Sequence, residues 1–116
     1  MNTENNTLLA EFIGFEVIKE QDFLNYTAGQ MTDKTIIDSA LKYHTSWDWL
    51  MKVVDKIESV NDNEFVVEIS DAMCEITGFE ENADMKIYKC GGDKKDSVYN
   101  ACVEFIKWYN EQTTKH

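Results

Sequence analysis

Residues 85–95 read Met85-Lys86-Ile87-Tyr88-Lys89-Cys90-Gly91-Gly92-Asp93-Lys94-Lys95, and they contain the transition on which the predicted fold depends. The first six residues alternate in polarity, which is the period of a half-buried β-strand. The two glycines that follow favour a turn, and Asp93 or Asp96 can cap a helix after it. The segment therefore predicts a strand joined directly to a C-terminal helix.

Two further β-rich segments precede this strand along the chain. Glu64–Ile69 is rich in valine, phenylalanine and isoleucine, and Met73–Thr77 alternates weakly in polarity. Only short gaps separate the three segments, and short connections join antiparallel rather than parallel strands. The sequence therefore predicts an antiparallel meander of about three strands.

The clearest helix is predicted over Trp47–Val60. Thr45 or Ser46 can cap it, because a hydroxyl group at this position accepts a hydrogen bond from an N–H group of the first turn. The turn cluster at residues 61–63 is expected to end it. Apolar residues recur along it at helical spacing, namely Trp47, Leu50, Met51, Val54 and Ile57.

A short N-terminal helix is predicted over Leu8–Ile13. Asn6 or Thr7 can cap this helix, and Gly14 lies where a glycine commonly ends a helix. Phe15–Lys19 follows as a short extended segment. Residues 20–42 are weakly patterned and are expected to form a long, partly ordered connection, a type of segment that is often functional inside a compact domain.

The C-terminal helix is predicted to extend from its aspartate cap to about Gln112. Its apolar face is wide, because a second apolar row lies beside the first. The first row is Val98, Ala101, Cys102, Phe105, Trp108 and Tyr109, and the second is Tyr99, Val103 and Ile106. Either this helix lies between two layers or part of it meets another subunit, and we expect a homodimer or a higher oligomer.

Together these elements predict one α+β domain over residues 1–116. Two long helices and the short N-terminal helix pack on a small antiparallel sheet, giving an α/β sandwich. A chain of 116 residues can form one core but is too short for two ordinary domains. The sequence contains no repeat and no proline-rich linker that would divide it.

The composition excludes several classes of protein. The chain has a net charge of −11 and no arginine, so its surface repels nucleic acid and direct DNA or RNA binding is not expected. No apolar run approaches a membrane span, and the N-terminus lacks a signal-peptide pattern. With only two histidines and widely spaced cysteines at Cys74, Cys90 and Cys102, we expect a reduced, cytoplasmic protein without a metal site or a cofactor.

Charge is divided unevenly along the chain. Residues 1–85 contain five lysines and eighteen acidic residues, a balance of −13, whereas residues 86–116 contain six lysines and four acidic residues, a balance of +2. Gly91 and Gly92 can direct backbone N–H groups into one concavity beside a helix N-terminus. The neighbouring lysines would add positive charge, and they are Lys89, Lys94 and Lys95. We interpret this segment as a candidate anion cradle, the alternative being an ordinary turn with solvated lysines.

A second candidate site precedes the helix predicted from Trp47. Tyr43 and Trp47 could stack on a nucleobase, Ser46 could bind an anion at the helix start, and His44 could donate or accept a hydrogen bond. The alternative is that Trp47 anchors the core, Ser46 caps the helix and His44 bonds locally. Neither site contains a nucleophile paired with a base, so no catalytic residue is predicted.

Three stretches of the sequence together resemble small phage and prophage proteins, typical of phages of Bacteroidota, that have a phage ABA sandwich domain. They are Tyr43-His44-Thr45-Ser46-Trp47-Asp48-Trp49-Leu50-Met51 with the helix that continues it, residues 98–110, and Asn6-Thr7-Leu8-Leu9-Ala10-Glu11-Phe12-Ile13-Gly14. The resemblance implies a phage origin and an α/β sandwich. It supplies no catalytic residues, and residues 15–42 match nothing in it.

The resemblance implies no settled activity. From a phage origin we infer a non-enzymatic protein that counteracts host defence in the cytoplasm of an infected bacterium. Our leading hypothesis is that it sequesters a small anionic signal of the nucleotide type, between the lysines of residues 89–95 and an aromatic face from Tyr43 or Trp47. The alternative hypothesis is an acidic mimic of nucleic acid that inhibits a host nuclease or another basic protein.

Overall fold

The computed structural model describes residues 2–25, 33–79 and 82–113. Helices and strands form an α+β fold, as the sequence predicts, with short 3₁₀ turns at Glu20–Asn25 and Asp38–Ala40. In chain order the elements are α1 (Asn2–Ile13), β1 (Glu16–Ile18), β2 (Thr35–Ile37), α2 (Trp47–Asn63), β3 (Phe65–Ser70), β4 (Met73–Gly78), β5 (Lys86–Cys90) and α3 (Lys94–Thr113).

Strands β3, β4 and β5 form the predicted antiparallel meander, with β4 in the centre. Successive side chains of a strand face opposite sides of the sheet. Ile76 and Ile87 face each other in register on one side and are buried. On the other side Glu68, Glu75 and Tyr88 form one row across the three strands. One face of the sheet therefore belongs to the core, and the other carries polar and exposed side chains.

A small parallel sheet forms where the sequence predicts an extended segment and a long connection. Strands β1 and β2 pair with Val17 beside Ile36, and β1 packs against α1. Strands of three residues carry too little periodicity to be identified from sequence alone. Strand β2 leads directly into the 3₁₀ turn at Asp38–Ala40.

Helix α3 lies at the centre of the fold. It contacts all three strands of the β3–β5 sheet as well as α1 and α2. Four aromatic rings surround the buried Phe105 at centroid distances of 4.9 to 6.3 Å, and they belong to Phe12, Phe65, Trp108 and Tyr109. Most of the wide apolar face is therefore buried within the chain, with Trp108 and Tyr109 partly buried.

The structure corrects two expectations about helix ends and one about the burial of a side chain at the start of α2. Helix α1 begins at Asn2, and Asn6 is not its cap but a buried residue inside it. Helix α2 continues through residues 61–63. Trp47 does not anchor the core, since its side chain is 37% exposed. Helical side chains lean toward the N-terminus, so the first residue of a helix points past the layer that the later turns pack against.

Candidate functional site

The segment Lys89–Lys95, here called the lysine turn, has the backbone that the two glycines predict. Gly91 and Gly92 have φ angles of 101° and 66°, in the left-handed region that favours glycine. The Gly91 N–H group donates to the carbonyl of Ala72 at 3.2 Å. Asp93 Oδ1 accepts the N–H group of Asp96 at 2.8 Å and so caps α3. A carboxylate therefore occupies the position at which the helix N-terminus could hold a bound anion.

Every lysine of this turn contacts an oxygen atom of the same chain. Lys89 pairs with Glu104, Lys94 Nζ lies 3.6 Å from Asp71 Oδ1, and Lys95 Nζ donates to the carbonyl of Thr45 at 3.1 Å. The two ion pairs are exposed, so each contributes little to stability and can open. An anion bound here would nevertheless lie among three carboxylates, which would oppose it electrostatically.

The Lys95 bond joins the lysine turn to the segment Tyr43–Trp47, so the structure brings these parts of the two candidate sites together. Within that segment Ser46 is the cap of α2, as predicted, because its Oγ accepts the N–H group of Trp49 at 3.4 Å. Trp47 is partly exposed at the first position of the helix. Lys89 and Lys94 instead pair with acidic residues outside the segment.

His44 belongs to a hydrogen-bonded network that links three parts of the fold. Asn6 Nδ2 donates to His44 Nδ1 at 2.8 Å, and the Tyr99 hydroxyl donates to Asn6 Oδ1 at 2.8 Å. Asn6 and Tyr99 are buried, and buried polar groups are costly unless they are bonded in this way. The network therefore fixes the turn before α2 against α1 and α3.

A cleft that the sequence does not predict lies beside this segment. Its walls are Ile13, Phe15, Tyr43, Trp49 and Lys52, and its volume is about 280 Å³. A smaller hollow of about 160 Å³ adjoins it, lined by Ile13, Gly14, Phe15 and Lys34. We call the two together the aromatic cleft. The larger of the two alone approaches the lower end of small-molecule sites, which begin at about 300 Å³.

The walls of the aromatic cleft come from the end of α1 and the start of α2. Gly14 has a φ angle of 117°, and its N–H group and that of Phe15 both bond to the carbonyl of Ala10, which ends α1 and turns the chain. The buried Tyr43 ring meets Trp49 edge to face at 5.1 Å. Lys52 lies three residues after Trp49, so both side chains are on the same side of α2.

The charges around the aromatic cleft differ from those around three other clefts on the described surface. Its lining residues include two lysines and no carboxylate. Three other clefts all have acidic residues in their linings. These are Glu104 in the first cleft, Glu20 and Asp38 in the second, and Glu4, Glu11 and Asp38 in the third. In a chain of charge −11, a cleft free of carboxylates is a local exception.

Burial changes the ionisation of several side chains. It raises the pKa of Tyr43, in the wall of the aromatic cleft, to about 12 and that of Cys74 to about 11. Burial first, and then the neighbouring Cys74, raise the pKa of Cys102. Both of these thiols are therefore protonated at neutral pH and unreactive, whereas Cys90 is exposed.

Neither a metal site nor a membrane-spanning helix is found among the described residues. In residues 2–25, 33–79 and 82–113, no group of three or more histidine, cysteine or acidic side chains is arranged to hold a metal ion. Over the same ranges, no helix is long and apolar enough to cross a membrane.

Sequence reasoning missed Phe15, Trp49 and Lys52. The available signal was a tryptophan and a lysine three residues apart on α2, together with an aromatic residue directly after Gly14. It was not decisive, because the sequence does not show that the end of α1 lies against the start of α2. Of the predicted site residues, Tyr43 lines this cleft.

Comparison with protein-family models, with curated proteins and with solved structures gave no match for this chain. The resemblance to phage proteins therefore remains a prediction from the sequence.

Proposed function

We propose that this protein acts by binding rather than by catalysis, and that it captures a small anion carrying an aromatic ring, of the nucleotide type, in the aromatic cleft. By removing such a signal it would counteract host defence during phage infection. The counter-defence part rests on the phage resemblance. The binding part rests on the chemistry of the cleft.

One observation carries the proposal, which is that the aromatic cleft combines aromatic walls with lysines and has no carboxylate in its lining. An aromatic wall favours a flat ring, because stacking on a base contributes about 1–3 kcal/mol per base. A lysine at the same cleft favours negative charge on the ligand. Neutral aromatic compounds would use only the first interaction, and inorganic phosphate only the second.

The capture site is thus the aromatic cleft and not the lysine turn. Tyr43, which the sequence predicts as a ligand-binding residue, lines this cleft. At the turn Asp93 already caps α3, and the lysines contact oxygen atoms of the chain. At the cleft, Lys52 is exposed and is three residues from Trp49. None of the residues that line the cleft carries a carboxylate.

Calorimetric titration with adenosine monophosphate, adenosine and inorganic phosphate tests this proposal. We expect adenosine monophosphate to bind more tightly than either of the other two, and binding to weaken as salt is raised. Lys52→Glu should lower the affinity for adenosine monophosphate at least tenfold, which is about 1.4 kcal/mol. Lys56→Glu is the matched control, because it makes the same charge change one turn further along α2 outside the cleft lining.

The outcomes separate three cases. A loss at Lys52→Glu with none at Lys56→Glu supports the cleft. Equal losses would mean that long-range charge and not the cleft controls binding. If neither adenosine monophosphate nor a panel of cyclic and linear nucleotides binds, the capture proposal fails.

The second candidate function is inhibition of a basic host protein, and the net charge of −11 favours it. The carboxylates around the lysine turn favour it as well, because they reduce the positive charge of the only lysine-rich segment. Inhibition of a purified host nuclease that weakens with salt but is unchanged by Lys52→Glu would support this function against nucleotide capture.

A further inference from the structure

The β3–β5 sheet has two edge strands, β3 and β5, and they differ in whether their outward backbone groups are hydrogen-bonded. At the β3 edge, the N–H group of Val67 donates to Glu58 Oε2 of α2 at 3.3 Å, so a side chain partly closes that edge. At the β5 edge, no described residue provides an equivalent bond. Unpaired strand edges are available for pairing with another chain.

The hydrogen bonds at the two ends of β5 show which of its backbone groups face outward. The Met85 carbonyl accepts the N–H group of Gly78 at 3.3 Å, and the Gly91 N–H group bonds to Ala72, so odd-numbered residues pair with β4. Alternate residues of an antiparallel pair direct their backbone groups to opposite sides. The N–H and C=O groups of Lys86, Tyr88 and Cys90 therefore point away from the sheet.

We propose that β5 pairs with β5 of a second copy of this chain, antiparallel, about a two-fold axis at Tyr88. An antiparallel two-fold pairing can be centred on a hydrogen-bonded or a non-hydrogen-bonded pair. Centring it on Tyr88, the middle residue of the five in this strand, is the choice that gives all three outward-facing residues a partner. Tyr88 would then exchange both hydrogen bonds with Tyr88 of the partner subunit. Lys86 would lie opposite Cys90 of the partner subunit, and the two sheets would join into one.

The charge pattern favours a second copy as the occupant of this edge. Two chains of charge −11 repel each other over most of their surface, but β5 contains no acidic residue. Its two lysines pair within the chain, Lys86 with Glu75 at 3.6 Å and Lys89 with Glu104. In the proposed register no like charges lie directly opposite each other. The Tyr88 side chain is 53% exposed and would meet its counterpart across the axis.

The proposed interface is the β5 edge, whereas the sequence suggested the apolar face of α3. Most of that apolar face is buried within the chain. The proposed dimer is also independent of the proposed nucleotide capture. None of the residues that line the aromatic cleft belongs to β5. Failure of one proposal therefore leaves the other standing.

Disulfide cross-linking tests the register. Residues that exchange both hydrogen bonds have Cα atoms about 5.5 Å apart, which suits a disulfide. Tyr88→Cys with Cys90→Ser should therefore give a covalent dimer on mild oxidation, and Lys86→Cys with the native Cys90 should do the same. Lys86→Cys with Cys90→Ser should not, because the two new cysteines would be about 14 Å apart. Cys74 and Cys102 are buried and do not interfere.

Glu68→Cys with Cys90→Ser is the control for random collisions, because it places an exposed cysteine on the same face but on β3. Sedimentation of the unmodified protein should show a reversible dimer, and Tyr88→Pro should abolish it by removing the N–H group at the axis. Cross-linking at the control rate in every variant, or a monomer at the highest soluble concentration, would overturn the proposal. If Tyr88→Pro fails to fold, the cross-linking pattern still decides.

Discussion

The lysine turn and the aromatic cleft both contain lysines, but their surroundings are opposite. In the turn, Asp93 caps α3, and Lys89 and Lys94 pair with carboxylates. In the cleft, Lys52 stands beside aromatic walls in a lining without a carboxylate. A cluster of lysines in the sequence is therefore a poor guide to an anion site, because folding can bring acidic residues to it. Whether lysines can bind an anion depends on the balance of charge within a few ångströms of them in the folded protein.

The first prediction has the largest expected effect and compares a core residue with one in the segment that joins the two regions. Phe105→Ala should destabilise the protein by about 3–5 kcal/mol, because it removes a fully buried ring that contacts four other aromatic rings. Trp47→Ala should cost clearly less, since that side chain is 37% exposed. Urea unfolding measures both. Equal losses would mean that Trp47 is part of the core after all.

The turn and the cleft also differ in how far the sequence predicts them. The lysine turn is formed by residues close together in the chain, so the alternating strand, the two glycines and the aspartate cap predict its backbone. The walls of the cleft come from residues 13–15, Lys34 and residues 43–52, which only tertiary packing brings together. Composition and periodicity carry no information on that contact, whereas they do predict the meander and the two long helices.

Asn6 shows the same limit at a single residue. Near the start of a predicted helix, asparagine is typical of a cap, and the sequence alone favours that interpretation. In the structure, Asn6 is buried and bonds to His44 and to Tyr99, which are 38 and 93 residues away. A local rule cannot anticipate partners at that distance in the chain.

The second prediction concerns the network that lies between the two regions. Tyr99→Phe should destabilise the protein by about 1–3 kcal/mol, because it leaves Asn6 Oδ1 buried without its donor. Ser59→Ala is the control, since it removes an exposed hydroxyl whose loss should change little. Chemical unfolding gives both values. A neutral Tyr99→Phe would show that water or another group replaces the donor.

The third prediction uses pH to examine the wall of the cleft. Burial raises the pKa of Tyr43 from 10.0 to about 12 and that of Tyr99 likewise, so above pH 10 the unfolded chain releases protons that the folded chain retains. The stability from these groups is complete below pH 10 and is lost as the pH rises toward 12. Urea midpoints from pH 8 to 11 should fall less steeply in Tyr43→Phe, and least steeply when Tyr99→Phe is added. An unchanged slope in the double variant would show that neither hydroxyl is shielded from water.

The last prediction has the smallest expected effect and is the most direct test of the comparison. Lys94→Glu with Lys95→Glu reverses two charges at the lysine turn, and the Lys94 and Lys95 contacts with Asp71 and Thr45 are near the surface, so stability should change little. If the cleft captures the ligand, affinity for adenosine monophosphate should fall by less than about twofold at physiological salt, because neither lysine lines the cleft and exposed charges are screened. Capture at the turn would instead lower it by more than about tenfold. Lys52→Glu measured beside it should give the reverse pattern, so the pair of variants assigns the site to one region or the other.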